Sequence, residues 1–133
     1  GNKGSVVDNI SSGGVACGIN ADGRLRDYAF NEKGERFQKF NSVFFKECKP
    51  LYLFDEIVET GLKIAEAFYY HRLIGFDLCV DNKGRIKLIE VNLDDIGINV
   101  IQYTNGPLFR EYTKEVIDFC ARNKKTICFD FTL

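Results

Sequence analysis

The sequence predicts an α+β domain, an antiparallel sheet of hairpins with about two helices on one face. Three observations carry this. Asn or Asp is followed three residues later by Gly in Asn20-Ala21-Asp22-Gly23, Asn31-Glu32-Lys33-Gly34 and Asp81-Asn82-Lys83-Gly84, each a tight-turn signal. The stretches around the first and third turns are short and rich in apolar residues, as hairpin strands are. Apolar residues recur at helical spacing after Asp55 and again after Pro107.

Taken in order, residues 5–11 (SVVDNIS) are β-rich around Asp8 and Asn9, and Ser12-Gly13-Gly14 interrupts them. Residues 15–19 and 24–30 form a hairpin about the first turn. Residues 37–50 mix aromatics with Lys and Ser without a steady period, which reads as a loop with a short strand. Asp55 caps a helix whose apolar side runs Val58, Leu62, Ala65 and Tyr69, with Ile57, Gly61, Ile64 and Phe68 beside it. A second hairpin, residues 74–92, surrounds Gly84, and residues 93–103 are irregular. Asn105-Gly106-Pro107 opens a second helix, with Pro in the first turn and Phe109, Tyr112, Val116, Phe119 and Cys120 as its apolar stripe. Basic residues from Arg122 to Lys125 suit its C-terminus, and residues 127–133 read as a last strand.

At 133 residues, 45% hydrophobic and 14% aromatic, the chain (1–133) is one domain with a core. Eighteen basic against 19 acidic residues, a net charge of -1, give no field for nucleic acid or an anionic membrane. The sequence has no membrane-spanning apolar run and no signal-peptide pattern. The 5 cysteines, at 17, 48, 79, 120 and 128, are odd in number and widely spaced beside a single His. They argue against zinc and disulfide frameworks and for a reducing cytoplasm, with Cys79 and Cys120 as small core residues. The chain lacks Met and starts at Gly1, which reads as a cut or processed piece.

The hairpin "IGFDLCVDNKGRIKLIEVN" poses the chemical question, because Asp77, Glu90 and Asn92 interrupt its apolar strands. With Val80 opposite Arg85, Asp77 faces Leu88 and Gly75 faces Glu90. Phe76, Leu78, Val80, Ile89 and Val91 then share an apolar face, and the three polar residues share the other. The register slipped by one seats Asp77 beside Ile89 and Glu90 beside Phe76, and polarity matching rejects it. Two carboxylates and a carboxamide offer oxygen ligands only, a set suited to Mg²⁺ or Mn²⁺. A solvent-facing polar side of a half-buried sheet is the other reading open at this point.

These residues resemble the ATP-grasp enzymes. Asp77, a turn, and "LIEVN" with Glu90 and Asn92 look like the motif that holds one or two Mg²⁺ ions against ATP phosphates. "DNISSGG", with Asn9, Gly13 and Gly14, resembles the Asn-x-x-x-Gly-Gly segment that lies near the phosphates and acceptor in several ligases of this kind. The resemblance is nearest to the subgroup tied to sugar transfer and cell-surface polysaccharide synthesis, some labelled hexapeptide transferase family proteins. There these motifs and a downstream Gln, here Gln102, recur in this order.

The resemblance implies the C-terminal half of a longer protein, an ATP-dependent ligase or transferase that is inactive as this piece alone. Asp77, Glu90 and Asn92 would take the metal, and Asn9, Gly13, Gly14 and Gln102 the nucleotide or substrate. The chain would need a preceding subdomain for the phosphate-binding lysines and adenine hinge, with small-molecule carboxylate and amine substrates; stripped of that subdomain it would expose an apolar surface, which predicts a homodimer. Gly75 stands where several relatives carry an Arg, and Arg72 reads better as a surface residue than as its replacement. Two alternatives are a non-catalytic nucleotide-binding or interaction module that serves a glycosyltransferase, and a metal-binding domain without nucleotide.

Overall fold

The computed structural model describes residues 10–94 and 96–123. The fold is α+β, and among these residues the strands make a three-stranded antiparallel sheet and two separate two-stranded ones, rather than one continuous sheet. β1 (Ala16–Ile19), β2 (Leu25–Phe30) and β3 (Arg36–Phe37) form the first, β4 (Lys39–Phe40) and β5 (Val43–Phe44) the second, and β6 (Gly75–Val80) and β7 (Ile86–Asn92) the third. Three α-helices accompany them among the described residues: α1 (Phe54–Ala65), α2 (Ile98–Asn105) and α3 (Thr113–Arg122).

The predicted turns are present and share one construction. The Asn20, Asn31 and Asp81 N–H groups donate to the Arg24, Glu35 and Arg85 carbonyls, and Gly23, Gly34 and Gly84 take φ of 79°, 78° and 74°. At Asp81 one carboxylate oxygen accepts from the Lys83 and Arg85 N–H groups, while the other accepts from Arg85 Nε at 2.7 Å. Asn31 does the same with its amide oxygen toward Lys33 and Glu35. Residues 36–44 hold more strand than expected, because Asn41 and Ser42 both take positive φ (48° and 68°) and close a two-residue hairpin turn.

α1 begins one residue ahead of its expected cap. Leu53 is the N-cap, in the left-handed region at φ 58°, and Asp55 lies inside the first turn, where its charge still suits the helix dipole. The inward face is Ile57, Gly61 and Ile64, turned toward β6 and β7, and Leu78 Cδ1 lies 3.9 Å from where a Gly61 Cβ would stand. Val58 and Leu62, expected on the buried side, are exposed.

The stretch expected to be irregular holds α2, and Asn105-Gly106-Pro107 ends that helix rather than starting the next. Gly106, at φ 83°, donates its N–H to the Gln102 carbonyl, and a Pro just beyond the end cannot extend the ladder. α3 starts at Thr113 after a short 3₁₀ turn. α2 packs on β1 and β2, where Tyr103 stacks on Phe30 at 6.0 Å. Thr104 is buried there and donates back to the Val100 carbonyl.

Burial is thin. Among the described apolar side chains Ala29 is the fully buried one, and the expected core residues Cys79 and Cys120 are exposed. No helix among the described residues is long and apolar enough to cross a membrane. Two sequence readings, the strand at residues 5–11 as far as residue 9 and the strand at residues 127–133, lie outside the described residues, as do Lys124 and Lys125.

Candidate functional site

The β6–β7 hairpin corrects the expected register and keeps its chemical consequence. Next to the turn the ladder runs Val80↔Ile86, Cys79↔Lys87 and Leu78↔Leu88, the register that polarity matching rejects. Between Leu78 and Asp77 it shifts by one residue, and the pairs become Asp77↔Glu90, Phe76↔Val91 and Gly75↔Asn92. Ile89 is the extra residue of this bulge and is 67% exposed, so Leu88 and Ile86, not Ile89, back the apolar face with Phe76, Leu78 and Val80.

Directly opposed residues share a face, so the bulge puts Asp77 against Glu90 and places Asn92 one pair further along the same face, opposite Gly75. Gly75 leaves room there, since a Cβ on it would come within 3.4 Å of Asn92 Cβ. Asp77 and Glu90 are exposed and Asn92 is half-buried. None of the three side chains enters a hydrogen bond or ion pair among the described residues. Their oxygens are therefore available, and nothing cationic among those residues neutralises the two carboxylates. Among the described residues no three His, Cys, Asp or Glu side chains lie together, so the set is two carboxylates and one carboxamide.

Such a donor set fits a hard divalent cation. Few protein oxygens leave the remaining positions of an octahedral Mg²⁺ to water and phosphate oxygens, and a face open to solvent admits both.

The other expected site residues are not joined to this pair by any hydrogen bond among the described residues. Gly13 takes φ 84° as its N–H donates to the Ile10 carbonyl, Gly14 is buried, and both lead into β1. Gln102 is exposed on α2. Asn9 lies outside the described residues. Arg72 is a surface residue: its guanidinium lies 4.5 Å from the centre of the Phe119 ring, and Nη1 is 3.8 Å from Glu115 Oε1.

Arg26 and Arg36, which belong to no motif, stand out only in the structure: the Arg36 guanidinium lies 4.0 Å from the centre of the Tyr28 ring, Arg26 Nε is shut off without a hydrogen-bond partner, and neither has a carboxylate partner among the described residues. The one signal for them in the sequence is the alternation of cations with aromatics in "LRDYAF" and "RFQKF". Cys17 donates its thiol to the Arg26 and Tyr28 carbonyls at 3.2 and 3.3 Å. Burial raises its pKa, which disfavours the thiolate.

No curated protein and no solved structure matches the chain. A protein-family model does, the one described as sugar-transfer associated ATP-grasp, over residues 1–118. That span contains both the Asp77–Glu90 hairpin and the Gly13-Gly14 turn, and with so much of its length matched the chain belongs to the sugar-transfer associated ATP-grasp family, whose domain is ATP-binding and ligase-like.

Proposed function

We propose that this chain is the ATP- and Mg²⁺-binding half of a cytoplasmic carboxylate-amine ligase, or a related ligase, that acts in cell-surface polysaccharide or peptide-sugar synthesis. The observation that carries the reading is the Asp77↔Glu90 pair, brought face to face by the Ile89 bulge with Asn92 beside it. A bulge is a local cost in a ladder, and bulges are over-represented next to active sites, where they re-aim a side chain.

In this reading Asp77, Glu90 and Asn92 are the residues that would hold the metal. When bound, Mg²⁺ neutralises the charge that develops on the phosphates and keeps the transferring group in line. The chain's residues hold the phosphates against the open face of β6 and β7. There a substrate carboxylate oxygen takes the γ-phosphoryl of ATP and ADP departs. An amine nitrogen then attacks the acylphosphate carbonyl carbon, the C–O bond breaks with its electron pair going to the departing inorganic phosphate, and the nitrogen gives up a proton. Asn9, Gly13, Gly14 and Gln102 contribute to nucleotide or substrate binding, and a preceding subdomain supplies lysines and the adenine hinge. The exposed Val58–Leu62 side of α1 supports a contact with that subdomain or with a second copy of the chain.

The test is ADP release by the longer protein, with candidate carboxylates and amines supplied together. Glu90→Gln is expected to lower turnover by at least about a hundredfold while the circular dichroism spectrum is unchanged, in line with the loss of a charge that stabilises the transition state. Full turnover by Glu90→Gln would refute the assignment.

A further inference from the structure

Lys87 and Glu90 are an odd number of residues apart in β7, and in an unbroken strand such a separation puts two side chains on opposite faces. The Ile89 bulge cancels that parity. Cys79 pairs with Lys87 and Asp77 with Glu90, while Asp77 and Cys79 are alternate residues of β6, which carries no extra residue between Gly75 and Val80. Lys87 therefore shares the face of Asp77 and Glu90.

Burial agrees with the ladder. α1 lies over Leu78, on the apolar face with Phe76 and Val80, whereas Asp77, Cys79, Lys87 and Glu90 are all exposed. Same-face neighbours along a strand are about 7 Å apart, so Lys87 stands one such step from the carboxylate pair, on the side of the turn. Its ammonium enters no hydrogen bond or ion pair among the described residues. The turn offers it no strong partner either. The Asp81 carboxylate accepts from the Arg85 N–H, the Arg85 side chain and the Lys83 N–H, and Lys87 is the last and smallest of the influences that hold its pKa down.

Two carboxylates, a carboxamide and an unpaired ammonium thus lie along one open face. A divalent cation held by two carboxylates leaves a polyphosphate with surplus negative charge, and a lysine ammonium is a flexible point charge with N–H donors for phosphate oxygens. A lysine whose only task is to keep an edge strand from pairing with another chain has no need of a fixed place beside Asp77 and Glu90. This one is set beside both by the same inserted residue that brings Glu90 onto the face.

We propose that Lys87 is a phosphate-binding residue of the Asp77–Glu90 site, its ammonium donating to a phosphate oxygen of the metal-bound nucleotide. The proposal rests on the ligase reading, and it adds a cation from this chain to the lysines assigned there to a preceding subdomain.

The experiment is a pair of titrations of the ¹⁵N-labelled chain, one with MgCl₂ and one with Mg²⁺ tripolyphosphate, at ionic strength held constant with KCl. Tripolyphosphate carries the phosphates without the adenine, so no adenine hinge is needed. In the wild type both are expected to shift the Asp77, Glu90 and Asn92 amide signals saturably. Lys87→Gln, a change at an exposed position, is expected to weaken Mg²⁺ tripolyphosphate binding about tenfold, the loss of one charge-assisted contact. The same variant should bind Mg²⁺ alone no more weakly than the wild type, because a neighbouring cation opposes a metal ion. Lys87→Arg, which keeps the charge, should retain the polyphosphate affinity. Unchanged polyphosphate affinity in Lys87→Gln, or a wild type that binds Mg²⁺ but not its tripolyphosphate, overturns the role of Lys87 and leaves the metal site standing. An equal loss of Mg²⁺ and of polyphosphate affinity in Lys87→Gln overturns it too, since that is the mark of a residue that only shapes the hairpin. A wild type whose Asp77 and Glu90 signals ignore Mg²⁺ overturns the metal reading itself and this proposal with it.

Discussion

At the scale of single residues the chain separates groups that hold the fold from groups that have nothing structural to do. Asp81 belongs to the first kind. The hydrogen bond from the Arg85 N–H, joined by those from the Arg85 side chain and the Lys83 N–H, holds its carboxyl below the ordinary carboxylate range against the opposing effect of desolvation. A carboxyl whose folded pKa is depressed contributes stability above its unfolded pKa and loses it as pH falls through the folded value. Thermal unfolding at pH 7 and at about pH 3 should therefore show the wild type losing more than Asp81→Asn, whose amide oxygen keeps the turn as Asn31 does. Gly84→Ala should cost about 1 kcal/mol by denaturant unfolding, because its φ of 74° strains any side chain. These residues are legible in sequence because a turn is local chemistry: an Asx side chain, two residues, and a glycine. Asp77 and Glu90 are the second kind, charged side chains that support no turn, cap or ion pair among the described residues.

At the scale of elements, the β6–β7 hairpin shows what a sequence pattern can and cannot carry. Grouping Asp77, Glu90 and Asn92 on one face by polarity agrees with the ladder, but the register inferred to achieve it does not. Pattern reasoning assumes an unbroken period of two, and a bulge adds one residue, so the slipped register at the turn becomes the polar-matched one beyond Ile89. Cross-strand nuclear Overhauser effects should link Cys79 to Lys87 and Asp77 to Glu90 and leave Ile89 unpaired, whereas contacts from Cys79 to Ile86 would restore the unbroken register. α2 is obscure for a different reason. Its eight residues include β-branched Ile98, Val100, Ile101 and Thr104, weak helix formers that are held by packing on β1 and β2. The Asn-Gly-Pro sequence after it serves equally as a stop or a start, and tertiary packing decides between them.

At the scale of the whole molecule, the separate small sheets and the scarcity of buried apolar side chains go together. Leu62 at 64% and Ile89 at 67% exposure leave apolar surface uncovered on α1 and on the hairpin. Light scattering should find the chain self-associating as concentration rises, and Leu62→Glu should shift the midpoint toward higher concentration by several-fold, in proportion to the apolar area removed. Which face pairs with which is invisible in the sequence, since Val58 and Leu62 fit the helical period as well as Ile57 and Ile64 do. Family membership, by contrast, is carried by motifs spread along the chain, and those read directly.

The central claim is that the face-to-face carboxylates of β6 and β7 hold the metal that brings ATP to this protein. The most direct measurement is Mg²⁺-dependent ATP binding by calorimetry on the chain extended upstream to take in the subdomain proposed to precede it, with Asp77→Asn and Glu90→Gln alongside. Binding that requires Mg²⁺ and is lost in both variants, with their folds intact, is the predicted result. Binding that survives both substitutions, or an extended chain that binds no nucleotide at all, would contradict it.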